Sequence, residues 1–179
     1  MESEGYPAIH YKNNLLTEED SSKSTRMWTD SAFLKMVLKL VVIKDLLDIN
    51  MRVLYMDSDV ILFKDPFPYL RAFESVDIAA QRDDTLCAGF MYIQPTENSR
   101  KTIKQSILDM YLQGIMDQDA LHWVVTRYHP CSFAFLPTDQ FMSGREYSRD
   151  HQFFWHKTGR KNMLEEEEEE EEGIVCLTL

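Results

Sequence analysis

The stretch Val53-Leu54-Tyr55-Met56-Asp57-Ser58-Asp59-Val60-Ile61-Leu62 decides how the rest of the chain is interpreted. Its apolar residues are typical of a buried parallel strand, and open α/β folds bind ligands at the carboxyl ends of such strands. Asp57 and Asp59 stand at that end, where two neighbouring carboxylates repel each other unless a cation lies between them. Mg²⁺ or Mn²⁺ would remove the repulsion, because both prefer oxygen ligands. A polar turn without a metal is the alternative, since short acidic pairs are common in turns.

Composition indicates one globular domain with an acidic tail. The chain has 179 residues, 44% of them hydrophobic, which is enough for a sizeable core. Its net charge is −11, but the eight glutamates from Glu165 to Glu172 contribute −8 and leave −3. Such a run repels itself, so residues 164–179 are predicted to be a disordered tail. Residues 1–27 lack periodicity and are predicted to be a loop or leader, which leaves 28–163 for the domain. No nucleic-acid partner is indicated.

The cysteines do not indicate a disulfide framework or a metal site, and the apolar segments do not indicate a membrane span. Cys87, Cys131 and Cys176 are too widely spaced for a disulfide framework or a paired cysteine metal site. The most apolar window, Phe33 to Leu47, contains three lysines and is shorter than the roughly 20 apolar residues that a membrane span needs. Contact with a membrane would therefore depend on a segment not present in this chain.

Helices and strands are predicted to alternate, as in an α/β layer architecture. The first helix begins near Asp30 or Ser31, and Asn50 is a candidate for the left-handed residue that ends it. Pro66 and Pro68 predict an extended turn. The remaining predicted elements are strands at 53–56, 76–80 and 89–93, a short helix at 69–73, and helices at 97–113 and 117–128.

Four blocks in order resemble the nucleotide-diphospho-sugar transferase family: VLYMDSDVILFKDPFPYL at 53–70, DIAAQRDD at 77–84, AGFMYIQPT at 88–96 and MDQDALHWVV at 116–125. The resemblance covers about residues 28 to 160. It implies a GT-A fold, with a Rossmann-like mixed sheet flanked by helices. It also implies metal-dependent transfer of a sugar, with retention of configuration, from a nucleotide-diphospho-sugar such as a UDP-sugar to a hydroxyl of a glycan or protein acceptor. Localisation in the Golgi lumen or membrane follows from the resemblance alone.

The resemblance assigns roles to residues at the ends of the predicted strands. Asp57 and Asp59 would bind Mn²⁺ or Mg²⁺ and the donor diphosphate, and His156 would be the third metal ligand, with His151 as its competitor. The other predicted donor-binding residues are Asp83, Asp84, Gly89 and Phe90.

The start of the last predicted helix would line the reaction centre through Asp117, Gln118 and Asp119, for which helix capping by acids is the alternative. Lys39 on the first helix could reach a phosphate, although lysines on a helix surface are usually solvated.

Two departures from the family pattern keep other functions open. Cys87 stands where the family commonly has an asparagine, and only 56 residues precede Asp57, so the first nucleotide-binding strand is expected to be absent. A truncated, non-catalytic protein that binds sugar nucleotides or another partner is therefore the main alternative. A haloacid-dehalogenase-type phosphatase is less well matched, because Val60 and Ile61 stand where its motif has Gly and Thr.

Overall fold

A computed structural model describes residues 30–83, 85–128, 131–143, 153–156 and 174–178. The helices are α1 (Asp30–Asp48), α2 (Phe67–Leu70) with the 3₁₀ turn Arg71–Phe73, α3 (Glu97–Gln113), and α4 (Asp117–Trp123) with the π-helical turn Val124–Tyr128. The strands are β1 (Arg52–Met56), β2 (Val60–Leu62), β3 (Ile78–Arg82), β4 (Leu86–Ile93), β5 (Phe133–Phe135), β6 (Phe141–Ser143), β7 (Phe154–His156) and β8 (Ile174–Thr178). The predicted mixed α/β architecture is confirmed.

Five strands form a mixed sheet in the order β5-β3-β4-β1-β8. β1 is antiparallel to both β4 and β8, so the prediction of a parallel strand is wrong. Its uninterrupted apolar sequence reflects burial on both faces, which does not depend on strand direction. Since β4 is also antiparallel to β3, and β3 is parallel to β5, the strands β1, β3 and β5 run in one direction. Their carboxyl ends therefore lie at the same edge of the sheet.

The two faces of the sheet pack against different layers. Val53 and Tyr55 of β1 face the cluster that includes α1, α3 and α4, whereas Leu54 and Met56 face the cluster under α2 and the second sheet. The alternation follows from the two-residue period of a strand. Full burial of side chains of this size contributes about 1.5–3 kcal/mol each, so α1 is held firmly over the end of β1.

Local signals fix the ends of the helices. Asn50 adopts a left-handed conformation with φ 66°, as predicted, and ends α1. α3 begins with a capping box between Thr96 and Ser99 and ends at Gly114 with φ 64°. α2 begins at Phe67, two residues before the predicted start, because Pro68 falls in the first turn, where no backbone donor is needed.

β2 belongs to a second sheet in the order β2-β7-β6, so the apolar stretch around Asp57 is divided between two sheets. β8 pairs along the whole of β1, which corrects the predicted disordered tail over 164–179 for the residues Ile174–Thr178. These five residues are uncharged and rich in strand-forming types, and the repulsive run ends before them at Glu172.

No helix within the described ranges is long and apolar enough to cross a membrane.

Candidate functional site

Asp57 continues the face of β1 that points toward the helices. Side chains two residues apart in a strand lie on the same side, so Tyr55 and Asp57 stand next to each other. The Tyr55 hydroxyl donates a hydrogen bond to Oδ1 of Asp57 at 2.6 Å. Tyr55 is buried, whereas the Asp57 side chain is 34% exposed and can meet a ligand.

Lys39 of α1 reaches this pair from above the sheet. Its Nζ lies 3.5 Å from Oδ1 of Asp57, forms an ion pair with Oδ2 of Asp117, and donates to the carbonyl of Ala88 at 3.3 Å. The Lys39 side chain is only 11% exposed. The expectation that it is solvated is therefore wrong, because α1 packs this side of the helix onto the sheet.

The charges of the cluster stabilise each other. Burial disfavours the Lys39 ammonium, but the carboxylates of Asp117 and Asp57 outweigh that effect and raise the pKa of Lys39 above its ordinary value. Burial raises the pKa of the Tyr55 hydroxyl, and its hydrogen bond to Asp57 raises it further against the opposing charge of Lys39. At neutral pH, Lys39 is thus a cation and Tyr55 a neutral donor.

β4 departs from regular pairing beside these groups. Ala80 of β3 pairs with Met91, but the next residue, Gln81, pairs with Cys87, so the register of the two strands shifts between Ala80 and Gln81. Ala88 instead binds Lys39 through its carbonyl, and its N–H donates to Oε1 of Gln118 at 3.4 Å. Such an irregularity redirects backbone groups, and here it directs them to α1 and α4.

The start of α4 lies against this irregular part of β4. Asp117 is buried and paired with Lys39, while the Gln118 amide also reaches Oγ1 of Thr85 at 3.5 Å. Asp119 is exposed, since a helix turns about 200° over two residues and carries it away from Asp117. The structure therefore brings Asp117 and Gln118 to the cluster, but not Asp119.

The acidic pair itself forms a turn. The Val60 N–H donates to the Asp57 carbonyl at 3.1 Å, which places Asp59 inside a four-residue turn. The polar-turn alternative thus describes the backbone correctly and is compatible with a ligand site.

Backbone pairing brings the predicted third metal ligand beside the acidic turn. His156 of β7 pairs with Val60 of β2, the residue that follows Asp59. The position of the imidazole is not described, and His151 lies outside the described residues. The role of His156 therefore stays a prediction, supported by its place in the second sheet.

The donor set suits a hard divalent cation that shares its coordination with a substrate. Among the described residues, no three His, Cys, Asp or Glu side chains form a complete metal site. Mg²⁺ is commonly held by one or two carboxylates together with substrate phosphates, so Asp57 and Asp59 suffice as the protein's carboxylate ligands. The contacts of Asp57 with Tyr55 and Lys39 are both made by Oδ1. Oδ2 takes part in neither contact and is therefore the oxygen that can bind a ligand.

The remaining predicted donor residues have different surroundings. Gly89 accepts a hydrogen bond from the Asp57 N–H at 2.8 Å, so it belongs to the site through its backbone. Phe90 is fully buried and packs near Phe141 at 5.8 Å between ring centroids, so its side chain is a core residue rather than a donor contact. Asp83 lies in the hairpin turn between β3 and β4, where its backbone N–H donates to the Thr85 carbonyl at 2.9 Å, and its role in donor binding stays a prediction. Asp84 lies outside the described residues.

Comparison with known proteins identifies the family. A sequence model of the nucleotide-diphospho-sugar transferase family matches residues 3–169, and the chain belongs to this family. The match begins before and ends after the predicted domain bounds of 28 and 163. The mixed sheet flanked by helices agrees with the GT-A-like fold that the resemblance implies. Comparisons with curated proteins and with solved structures returned no significant match.

Sequence reasoning named Lys39 only as a possible phosphate contact and did not single out Tyr55, although the contacts of both with Asp57 carry a detectable signal. Lys39 is four residues before the buried Ile43 and seven after the buried Ala32, which places it on the apolar face of α1. A lysine on such a face predicts a buried carboxylate partner. Tyr55 precedes Asp57 by two residues, the spacing that puts a hydroxyl beside a carboxylate on one face of a strand.

Proposed function

We propose that the chain transfers a sugar from a nucleotide-diphospho-sugar, such as a UDP-sugar, to a hydroxyl of a glycan or protein, with Mn²⁺ or Mg²⁺ as cofactor. Family membership supports a transferase with a nucleotide-sugar donor. The observation that carries the finer proposal is the fixed position of Asp57 at the carboxyl end of β1, within one cluster with Asp117.

In this proposal, Asp57 and Asp59 hold the metal together with His156. When bound, the metal would supply Lewis-acid stabilisation of the negative charge on the diphosphate, on the order of several kcal/mol. In the proposal, Asp117 and Gln118 orient the donor sugar and stabilise the positive charge that develops on it, a role supported by their place in one cluster with Asp57. Both residues belong to α4, and Gln118 also binds the backbone of β4, which favours a preorganised site. By the family resemblance, we propose that the configuration of the sugar is retained.

The proposal is tested by incubating the purified chain with Mn²⁺, a panel of nucleotide sugars and a mixture of glycan and peptide acceptors. Release of the nucleoside diphosphate measures turnover, and NMR of the transferred sugar reports its configuration. Asp59→Asn should reduce turnover on the order of 100-fold, which corresponds to about 3 kcal/mol of lost transition-state stabilisation. Asp48→Asn, an exposed acid at the end of α1, is the matched control and should leave turnover unchanged.

Two results would contradict the proposal. Equal turnover in the wild type and Asp59→Asn would show that the acidic turn does not hold the cofactor. Metal-dependent nucleotide binding without release of diphosphate from any donor would favour the non-catalytic alternative.

The proposed location is the Golgi lumen or membrane, where the family resemblance places such a transferase. Imaging of the tagged chain against a Golgi marker tests this point, and a distribution that excludes the marker would overturn it.

A further inference from the structure

Lys39 connects the two acidic segments of the candidate site. Asp57 follows β1 and Asp117 begins α4, and both carboxylates contact the same ammonium group. The contacts differ in kind: Asp117 and the Ala88 carbonyl bind the ammonium directly, whereas Asp57 lies slightly farther away at 3.5 Å. The ammonium is therefore fixed by α4 and β4, and it presents a charge to Asp57.

This buried charge is not explained by stability alone. A buried ion pair rarely stabilises a fold more than a well-packed apolar pair does, because both charges lose their hydration. The pair of Lys39 and Asp117 is buried, with side-chain exposures of 11% and 7%. The carboxylate of Asp57 is 34% exposed and is the member of the cluster that a ligand can reach most easily.

We propose that Lys39 is a positioning residue that holds Asp57 in the orientation needed to bind the divalent metal and the donor diphosphate, and that it aligns Asp57 with Asp117. Lys39 and the Tyr55 hydroxyl both act on Oδ1 of Asp57, and by restraining the carboxylate they would leave Oδ2 to bind the metal. This inference rests on the proposed function, because it concerns the same metal site.

The test must separate positioning from simple charge and from folding. Lys39→Met alone leaves the buried Asp117 carboxylate unpaired and destabilises the fold. The double variant Lys39→Met with Asp117→Asn removes one positive and one negative charge and preserves the net charge of the site. Asp117→Asn alone keeps Lys39 beside Asp57. The double variant Lys44→Met with Asp48→Asn removes an exposed ion pair from the same helix and is the matched control.

The readout is the affinity for Mn²⁺ in the presence of UDP, measured by electron paramagnetic resonance without any acceptor. Thermal unfolding shows whether each variant is folded. If charge alone mattered, Asp117→Asn would bind Mn²⁺ more weakly than the Lys39→Met, Asp117→Asn variant, because only the single variant makes the site less negative. Positioning by Lys39 predicts the opposite order. We expect the double variant to bind Mn²⁺ about tenfold more weakly than the wild type, and Asp117→Asn to lose less, in line with the effect of residues that orient metal ligands.

Two outcomes overturn the inference and identify where it fails. The first outcome is that the wild type binds Mn²⁺, and that the double variant Lys39→Met with Asp117→Asn is folded and binds Mn²⁺ at least as tightly as Asp117→Asn alone. In that case only the role of Lys39 is wrong. If the wild type binds no Mn²⁺ with UDP, the proposed function fails together with the inference. An unchanged affinity in Lys44→Met, Asp48→Asn supports the assignment to Lys39, and an equal loss there contradicts it.

Discussion

Asp57 takes its orientation from three different elements. Its backbone N–H is bound by Gly89 of β4, and its Oδ1 is contacted by Tyr55 of β1 and Lys39 of α1. The side chain nevertheless remains 34% exposed. A carboxylate that is both restrained and accessible is what a preorganised binding site requires, because little orientation remains to be lost when the ligand binds.

Tyr55→Phe tests the hydrogen bond to Asp57 while preserving the buried ring. Water can replace the lost donor at the exposed Asp57, so we expect the free energy of unfolding to fall by only about 1 kcal/mol. Binding of Mn²⁺ with UDP should weaken, because Oδ1 loses one of its two restraints. Chemical denaturation and metal titration measure the two effects. Tyr111→Phe, at an exposed tyrosine of α3, should change neither, and an equal loss there would contradict the role of Tyr55.

At this scale, the sequence predicted the acidic residues better than the groups that orient them. Asp57 and Asp117 stand in recognisable blocks, and both lie in the observed cluster. Lys39 is distant from them in sequence, and its burial depends on how α1 docks on the sheet. The same limit explains Phe90, whose motif position gives no sign that its side chain points into the core.

The irregular pairing of β4 is the element that joins the parts of the site. The register between β3 and β4 shifts at Ala80 and Gln81, and the backbone of Ala88 meets Lys39 and Gln118. A regular strand would use the Ala88 groups to pair with β3, whereas the Gly89 carbonyl lies on the opposite side of β4 and binds the Asp57 N–H beyond the end of β1. The site therefore depends on the local break in the sheet as well as on the side chains around it.

Gly114 tests how α3 ends. Its φ of 64° is strained for residues with a side chain, and an added Cβ would meet no atom within 4 Å. Gly114→Ala should therefore reduce the free energy of unfolding by about 1 kcal/mol for conformational reasons alone. Gly114→Asn should lose less, because asparagine tolerates the left-handed region. Chemical denaturation measures both, and equal losses would contradict a purely conformational cause.

Elements bounded by local signals could be predicted closely. α3 was predicted at 97–113 and lies there, because its capping box and terminal glycine are encoded within the helix itself. The direction of β1, the separate sheet of β2 and the pairing of β8 could not be predicted. Each depends on a partner strand far away in sequence, and an apolar pattern does not name that partner.

Across the whole molecule, Asp77 ties the sheet to the layer of helices. Its carboxylate accepts hydrogen bonds from the Thr96 hydroxyl at the start of α3, and from both the N–H and the hydroxyl of Ser132 before β5, at 2.7 and 2.8 Å. Although burial opposes its charge, these hydrogen bonds hold the pKa of Asp77 below its usual value of 3.8.

The pH dependence of folding follows from that shift. A carboxyl with a lowered pKa in the folded chain contributes stability that is fully present above 3.8 and is lost as the pH falls through the lowered value. Asp77→Asn should therefore reduce the free energy of unfolding by about 2 kcal/mol at pH 7 and reduce its decline below pH 4. Denaturation at several pH values measures this. Asp48→Asn should behave like the wild type, and an unchanged acid dependence in Asp77→Asn would contradict the role of Asp77.

The central claim is that Asp57 and Asp59 form a divalent-metal site for a nucleotide diphosphate at the carboxyl end of β1. Calorimetric titration of UDP into the chain, with and without Mn²⁺, tests it most directly. The account predicts that binding requires Mn²⁺ and disappears in the variant with Asp57→Asn and Asp59→Asn, which should remain folded because both side chains are in a partly exposed turn. Binding that is equal without Mn²⁺, or unchanged in that variant, would contradict the claim.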